Sequence, residues 1–151
     1  MSLEVYMDSE SVMVEGNYYP LPTGIIYVED DEGAFPDYDY NDFVSVLLDW
    51  WTKELVNFAW GAKAVKLRFV DEHYYIHLVH EDNNVCKAYL GQTTLSGNEV
   101  TRECEFDLDD LIKSLARAVN ALLRNEEFTK SKPKEAEELR YALDRLRSHK
   151  K

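Results

Sequence analysis

Four side chains suited to metal or proton chemistry lie close together in the chain: His73, His77, His80 and Cys86. A structural zinc ion needs four such ligands converging tetrahedrally, usually from tight spacings on two elements. On a strand His73 and His77 share one face and His80 takes the other, so strand parity divides the set and predicts no metal site. A second pattern is Asp37-x-Asp39-x-Asn41, which matches the opening of an EF-hand loop. The sixth position of that loop must be Gly and the twelfth a bidentate Glu, yet they are Asp42 and Leu48, so the calcium motif fails at both diagnostic places. Nucleophilic catalysis needs Ser, Thr or Cys beside a base. The chain has no G-x-S-x-G, and Cys104, on the strand face shared with Val100 and Phe106, reads as a small core residue. Isolated Gly91 and Gly97 make no phosphate cradle. The reading is a non-enzyme without cofactor.

What stands out is charge. The formal net charge is −12 over 151 residues. Residues 129–151 hold eight Lys or Arg against four Asp or Glu, whereas residues 1–128 hold 9 against 25. So acidic a body repels nucleic acid and anionic lipid and attracts a basic partner. The acids peak in residues 29–42: Glu29, Asp30, Asp31, Glu32, Asp37, Asp39 and Asp42, interleaved with Phe35, Tyr38 and Tyr40. Carboxylates steer a basic protein while aromatic rings supply rigid contact area. The candidate partner-binding set is therefore Glu29, Asp30, Asp31, Glu32, Phe35, Asp37, Tyr38, Asp39 and Tyr40, on what reads as a loop.

The elements around that loop follow from periodicity. Leu3, Val5 and Met7 alternate with Glu4, Tyr6 and Asp8, and Ile25–Val28 is β-prone, so residues 3–29 read as a hairpin or three-stranded meander turning at Gly16-Asn17. Asn41 is a plausible N-cap for a helix with Asp42 in its first turn. Phe43, Val46, Leu47, Trp50, Trp51, Leu55 and Phe58 recur at helical steps along it, and Gly61 closes it. A second meander follows: a strand over Val65–Phe69, Tyr74–His80, Val85–Leu90 after a turn at Glu81–Asn84, then Val100–Phe106. Asp107 caps a helix with the stripe Leu108, Leu111, Ile112, Leu115, Val119, Leu122 and Leu123. After a break at 129–132, Pro133 opens a last helix with a narrow seam of Ala136, Leu139, Leu143 and Leu146.

The expected fold class is α+β, antiparallel meanders packed against two main helices with a third C-terminal helix. Residues 1–128 form one domain and 129–151 a basic amphipathic helix docked on it. The N-terminus lacks a secretory pattern, and Asp49, Lys53 and Glu54 interrupt the most apolar helix, so a cytoplasmic, non-membrane protein with reduced Cys86 and Cys104 is expected.

The segment Asn41–Trp51, N-D-F-V-S-V-L-L-D-W-W, and its setting between two meanders resemble small immunity-type proteins of bacterial polymorphic toxin systems. That resemblance implies binding and neutralisation of a cognate toxin and carries no catalytic residues. Two alternatives remain from the residues themselves. One is a small-ligand-binding protein or small enzyme with a pocket between sheet and helices, its polar groups Tyr75, His77 and Arg102. The other is a subunit that homo-oligomerises through the last helix's seam.

Overall fold

The computed structural model describes residues 2–14, 21–81 and 85–148. The expected turn at Gly16-Asn17 lies outside them, as does the expected turn at Glu81–Asn84 beyond Glu81. The fold is α+β, as the periodicities predict: two antiparallel four-stranded sheets and their helices.

The first sheet is built on β2 (Thr23–Asp30). Strand β1 (Glu4–Met7) pairs along one edge, Val5 opposite Val28. Along the other edge lie two three-residue strands, β3 (Gly33–Phe35) and β4 (Asn41–Phe43). Residues 29–42 are therefore not one loop. Two short ladders anchor them to β2, with only 31–32 and 36–40 turning outside. Asn41 is likewise no cap: helix α1 (Val44–Ala59) begins after Phe43, whose side chain makes no capping bond. The buried stripe of α1 contains Val44, Leu47, Leu48, Trp51, Leu55 and Phe58, so Trp50 falls outside the stripe that the sequence assigns it. Gly61 does close the helix, at φ +124°, which a side chain would resist.

The second sheet is a plain meander: β5 (Ala64–Arg68), β6 (Tyr74–His80), β7 (Cys86–Thr94) and β8 (Gly97–Phe106). The β7–β8 ladder runs to Thr94–Gly97, so most of the expected 91–98 connection is strand. Helix α2 (Leu108–Leu123) is capped by Asp107, whose carboxylate accepts the N–H groups of Asp109 and Asp110. A six-residue helix α3 (Glu126–Ser131), capped by Asn125, occupies most of the expected break and buries Phe128 completely. Helix α4 (Pro133–Ser148) follows.

One core joins these layers. Helix α1 packs on β5, β2, α2 and α4, while α2 covers β1. Leu111, Leu115 and Leu122 are wholly buried, each contributing roughly 2 kcal/mol of transfer free energy. The free edge of β1 is closed by Ser114, whose hydroxyl accepts the Val5 N–H at 2.8 Å and donates to the Leu111 carbonyl. That bond satisfies one of the N–H groups that a bare edge strand would present. The seam Ala136, Leu139, Leu143 and Leu146 is buried within the chain, which leaves no apolar stripe on α4 for a second copy.

Candidate functional site

The acidic-aromatic segment divides into a buried half and an exposed half. Asp30 belongs to the buried half. Its side chain is 3% exposed and its Oδ2 accepts from Arg102 Nε at 3.0 Å. Arg102 also donates to the Gly33 carbonyl at 2.9 Å and lies over the Phe35 ring, 5.8 Å from its centroid. A strand of the second sheet thus clamps the β2–β3 hairpin of the first. Removing Arg102 would leave the buried Asp30 carboxylate uncompensated. Asp42 is also spent internally, accepting from the Tyr40 hydroxyl and from the N–H groups of Phe43 and Asp71. Burial, with Asp42 alongside, pushes the Tyr40 hydroxyl far above its ordinary pKa. Phe35 and Tyr40 both make edge contacts with Phe69 and Tyr74 in an aromatic cluster that also contains Trp51. Asp30 and Phe35 are thus buried and Tyr40 half-buried in contacts within the chain.

Glu29, Asp31, Glu32, Asp37, Tyr38 and Asp39 remain exposed. Tyr38 is joined by two rings that the sequence reading overlooks. In the β1–β2 ladder Tyr6 stands opposite Tyr27 and Glu4 opposite Glu29, all on the outward face. The Tyr6 and Tyr27 rings are 5.1 Å apart, and Tyr38 meets Tyr27 edge-on at 5.4 Å. The result is a row of three rings, its outer two, Tyr6 and Tyr38, 49% and 53% exposed. Period-2 alternation could have found two of them: strand positions facing away from Val5 and Val28 hold tyrosines rather than ordinary polar residues.

Carboxylates frame the row. Tyr38 donates its hydroxyl to Glu29 Oε2 at 3.1 Å, and this bond, with some burial, raises its pKa. Burial and then Glu29 do the same for Tyr27. Directly opposed like charges, Glu4 and Glu29, destabilise a ladder. Arg117 of α2 answers Glu4 from 3.4 Å, an exposed pair of small value. Gly33, at φ +122°, lies beneath the Tyr38 hydroxyl, where a Cβ would come within 3.4 Å. Such a surface can hold a cation by carboxylate contact and by cation–π attraction to a tyrosine face.

The alternative set does not converge. Ile76, Leu90 and Arg102 align across β6, β7 and β8, so Arg102 lies on the inward face. Tyr75 and His77 are one residue out of phase with that row and lie on the outward face. His77 sits between Lys66 and Tyr89. His73 pairs with Asp71 at an exposed turn, 2.7 Å away. His80 stacks on Phe58 at 3.9 Å and stands 3.1 Å from the Phe58 carbonyl and 3.6 Å from Cys86 Sγ. Among the described residues no three His, Cys, Asp or Glu side chains are grouped to hold a metal. Cys86 is the buried thiol, its pKa raised by burial and by Asp107. Cys104 is only half-buried, at the margin of the core rather than inside it, with burial and then Asp30 pushing its thiol up to about 11. No helix among the described residues is long and apolar enough to cross a membrane.

No family model, curated protein or solved structure matches the chain.

Proposed function

We propose that the chain is a non-enzymatic protein-binding module whose site is the outward face of the first sheet, and that its partner is a basic protein. The tyrosine row Tyr6–Tyr27–Tyr38 and its carboxylate frame carry this reading. Tyrosine is enriched among the residues that dominate interface energies, and rings already packed against one another lose little entropy on binding. Glu4, Glu29, Asp31 and Glu32 would speed encounter with a basic surface, and the net charge of −12 would extend that attraction at low salt. The resemblance of Asn41–Trp51 to immunity-type proteins suggests the biological form: inhibition of a cognate basic toxin, such as a nuclease, by covering its phosphate-binding surface. The protein would act in the cytoplasm and need no cofactor.

The test compares the wild-type chain with a Tyr6→Ala/Tyr38→Ala variant as baits in the native host. The expected result is a basic protein held by the wild type, released by salt, and bound at least about tenfold more weakly by the variant. A captured partner that is acidic, or that binds both baits equally, contradicts the proposal.

A further inference from the structure

At one end of the second sheet lies a cavity of about 460 Å³ that the protein-binding reading leaves unused. Its lining includes Trp50, Lys66, Arg68, Glu72, Tyr74 and Tyr75. Three features show how local structure shapes it.

The tandem Trp50-Trp51 is the first. Trp51 is wholly buried and donates its indole N–H to the Arg68 carbonyl at 2.6 Å, tying α1 to the end of β5. Successive helix positions point about 100° apart, so anchoring Trp51 turns Trp50 outward. Trp50 is 39% exposed and shares the cavity with Arg68.

The second is the placement of Tyr75. It stands on the outward face yet is only 9% exposed, because its ring lies across Gly91. A Cβ at Gly91 would come within 2.5 Å of the Tyr75 hydroxyl and 2.6 Å of the Glu99 carbonyl. The β7–β8 register shifts at Leu90/Gly91, the kind of irregularity that re-aims side chains beside binding sites. A bulge and a missing side chain together let Tyr75 form one wall.

The third is charge. Arg68 forms no ion pair among the described residues, although the chain has 29 acids. Lys66 holds its ammonium 5.3 Å from the Tyr75 ring centroid, beside Arg68 rather than against a carboxylate. Glu72 is the one acid in the lining, so cations prevail there.

Aromatic walls select a planar ring, and an unpaired guanidinium with a neighbouring ammonium selects an anionic group. The volume falls within the range of small-molecule sites. We infer that this cavity binds a small planar aromatic anion, a ring system bearing a carboxylate or a phosphate. The site is separate from the tyrosine row and does not depend on the protein partner.

The test follows the indole N–H signals of Trp50 and Trp60 in ¹H–¹⁵N spectra of the full chain, with Trp60, which is 60% exposed, as the reference ring. The probes are 1-naphthoate, adenosine monophosphate and the neutral 1-naphthalenemethanol. The expected result is a saturable shift of Trp50 but not Trp60 with at least one anion, and binding about tenfold weaker for the neutral probe. The anion that binds identifies carboxylate or phosphate as the group read. Arg68→Gln should bring the anion down to the neutral probe's affinity. It leaves the fold intact, because Trp51 is held by the Arg68 backbone. The inference is overturned if neither anion gives a saturable shift at millimolar concentration, if Trp60 moves in parallel, or if Arg68→Gln binds the anions as the wild type does.

Discussion

The outward face of the first sheet shows Glu4, Tyr6, Tyr27 and Glu29, whereas that of the second shows Lys66, Arg68, His77 and Lys87. Both faces are tyrosine-rich and both belong to antiparallel ladders, but the first sets acid opposite acid, whereas on the second the cations of β5 and β7 share the face with Glu103 and Glu105 of β8. On the second face β8 partly answers the cations: Lys87 lies 3.6 Å from Glu103, which raises its pKa. On the first face Arg117 of α2 pairs with Glu4. A net charge of −12 is thus distributed unevenly between the two faces. Arg102 links them, reaching from β8 to Asp30 in the hairpin that positions Tyr38.

Breaking that link should have the largest effect. Arg102→Ala strands the Asp30 carboxylate, and breaking a buried pair costs about 3–5 kcal/mol; about 3 kcal/mol is expected, because the Arg102 side chain is 21% exposed. Urea denaturation measures it, and adding Asp30→Asn should restore part of the loss by removing the orphaned charge. If Arg102→Ala is as stable as wild type, the clamp is not what holds the hairpin.

Gly91→Ala perturbs the second face alone. Overpacking against the Glu99 carbonyl and the Tyr75 hydroxyl should cost about 1–3 kcal/mol, while binding through the tyrosine row stays unchanged. A thermal melt and a partner titration on the same variant check the two halves of that statement.

The smallest effect is confined to alkaline pH. The Tyr40 hydroxyl is raised above its ordinary pKa of 10.0, so above that pH the unfolded chain gives up a proton that the folded chain keeps. Its contribution is fully present below pH 10.0 and is lost as pH climbs from there toward the folded value. Tyr40→Phe should flatten the alkaline limb of a stability–pH curve. An unchanged limb would mean that Tyr40 does not carry it.

Much of the scaffold is legible without coordinates. Tyr74–His80 is a strand in full, Asp107 does cap a helix that ends at Leu123, and Pro133 does open the last one. In each case the signal is local: alternation, an acceptor side chain before an apolar stripe, a fixed φ. Residues 29–42 are harder because their partners are remote. Asp30 looks like its neighbours Asp31 and Glu32 until Arg102, 72 residues on, is brought beside it. Strands β3 and β4 have three residues each, too few to show alternation, and exist because β2 is long enough to pair with both. Trp50 and Trp51 are indistinguishable in composition, and only the bond from Trp51 to Arg68 decides which faces solvent. The tyrosine row draws one ring from each of three segments, so no window of sequence contains it.

The most direct test of the central claim is a titration of the captured partner against the wild type and a Glu29→Gln/Asp31→Asn/Glu32→Gln variant at several salt concentrations. These side chains are exposed or at the hairpin's turn, so folding should be unaffected. The account predicts wild-type affinity that falls steeply with salt, and a variant that binds more weakly at low salt with a shallower dependence. Equal affinities and equal salt slopes would contradict it and place the binding surface elsewhere on the molecule.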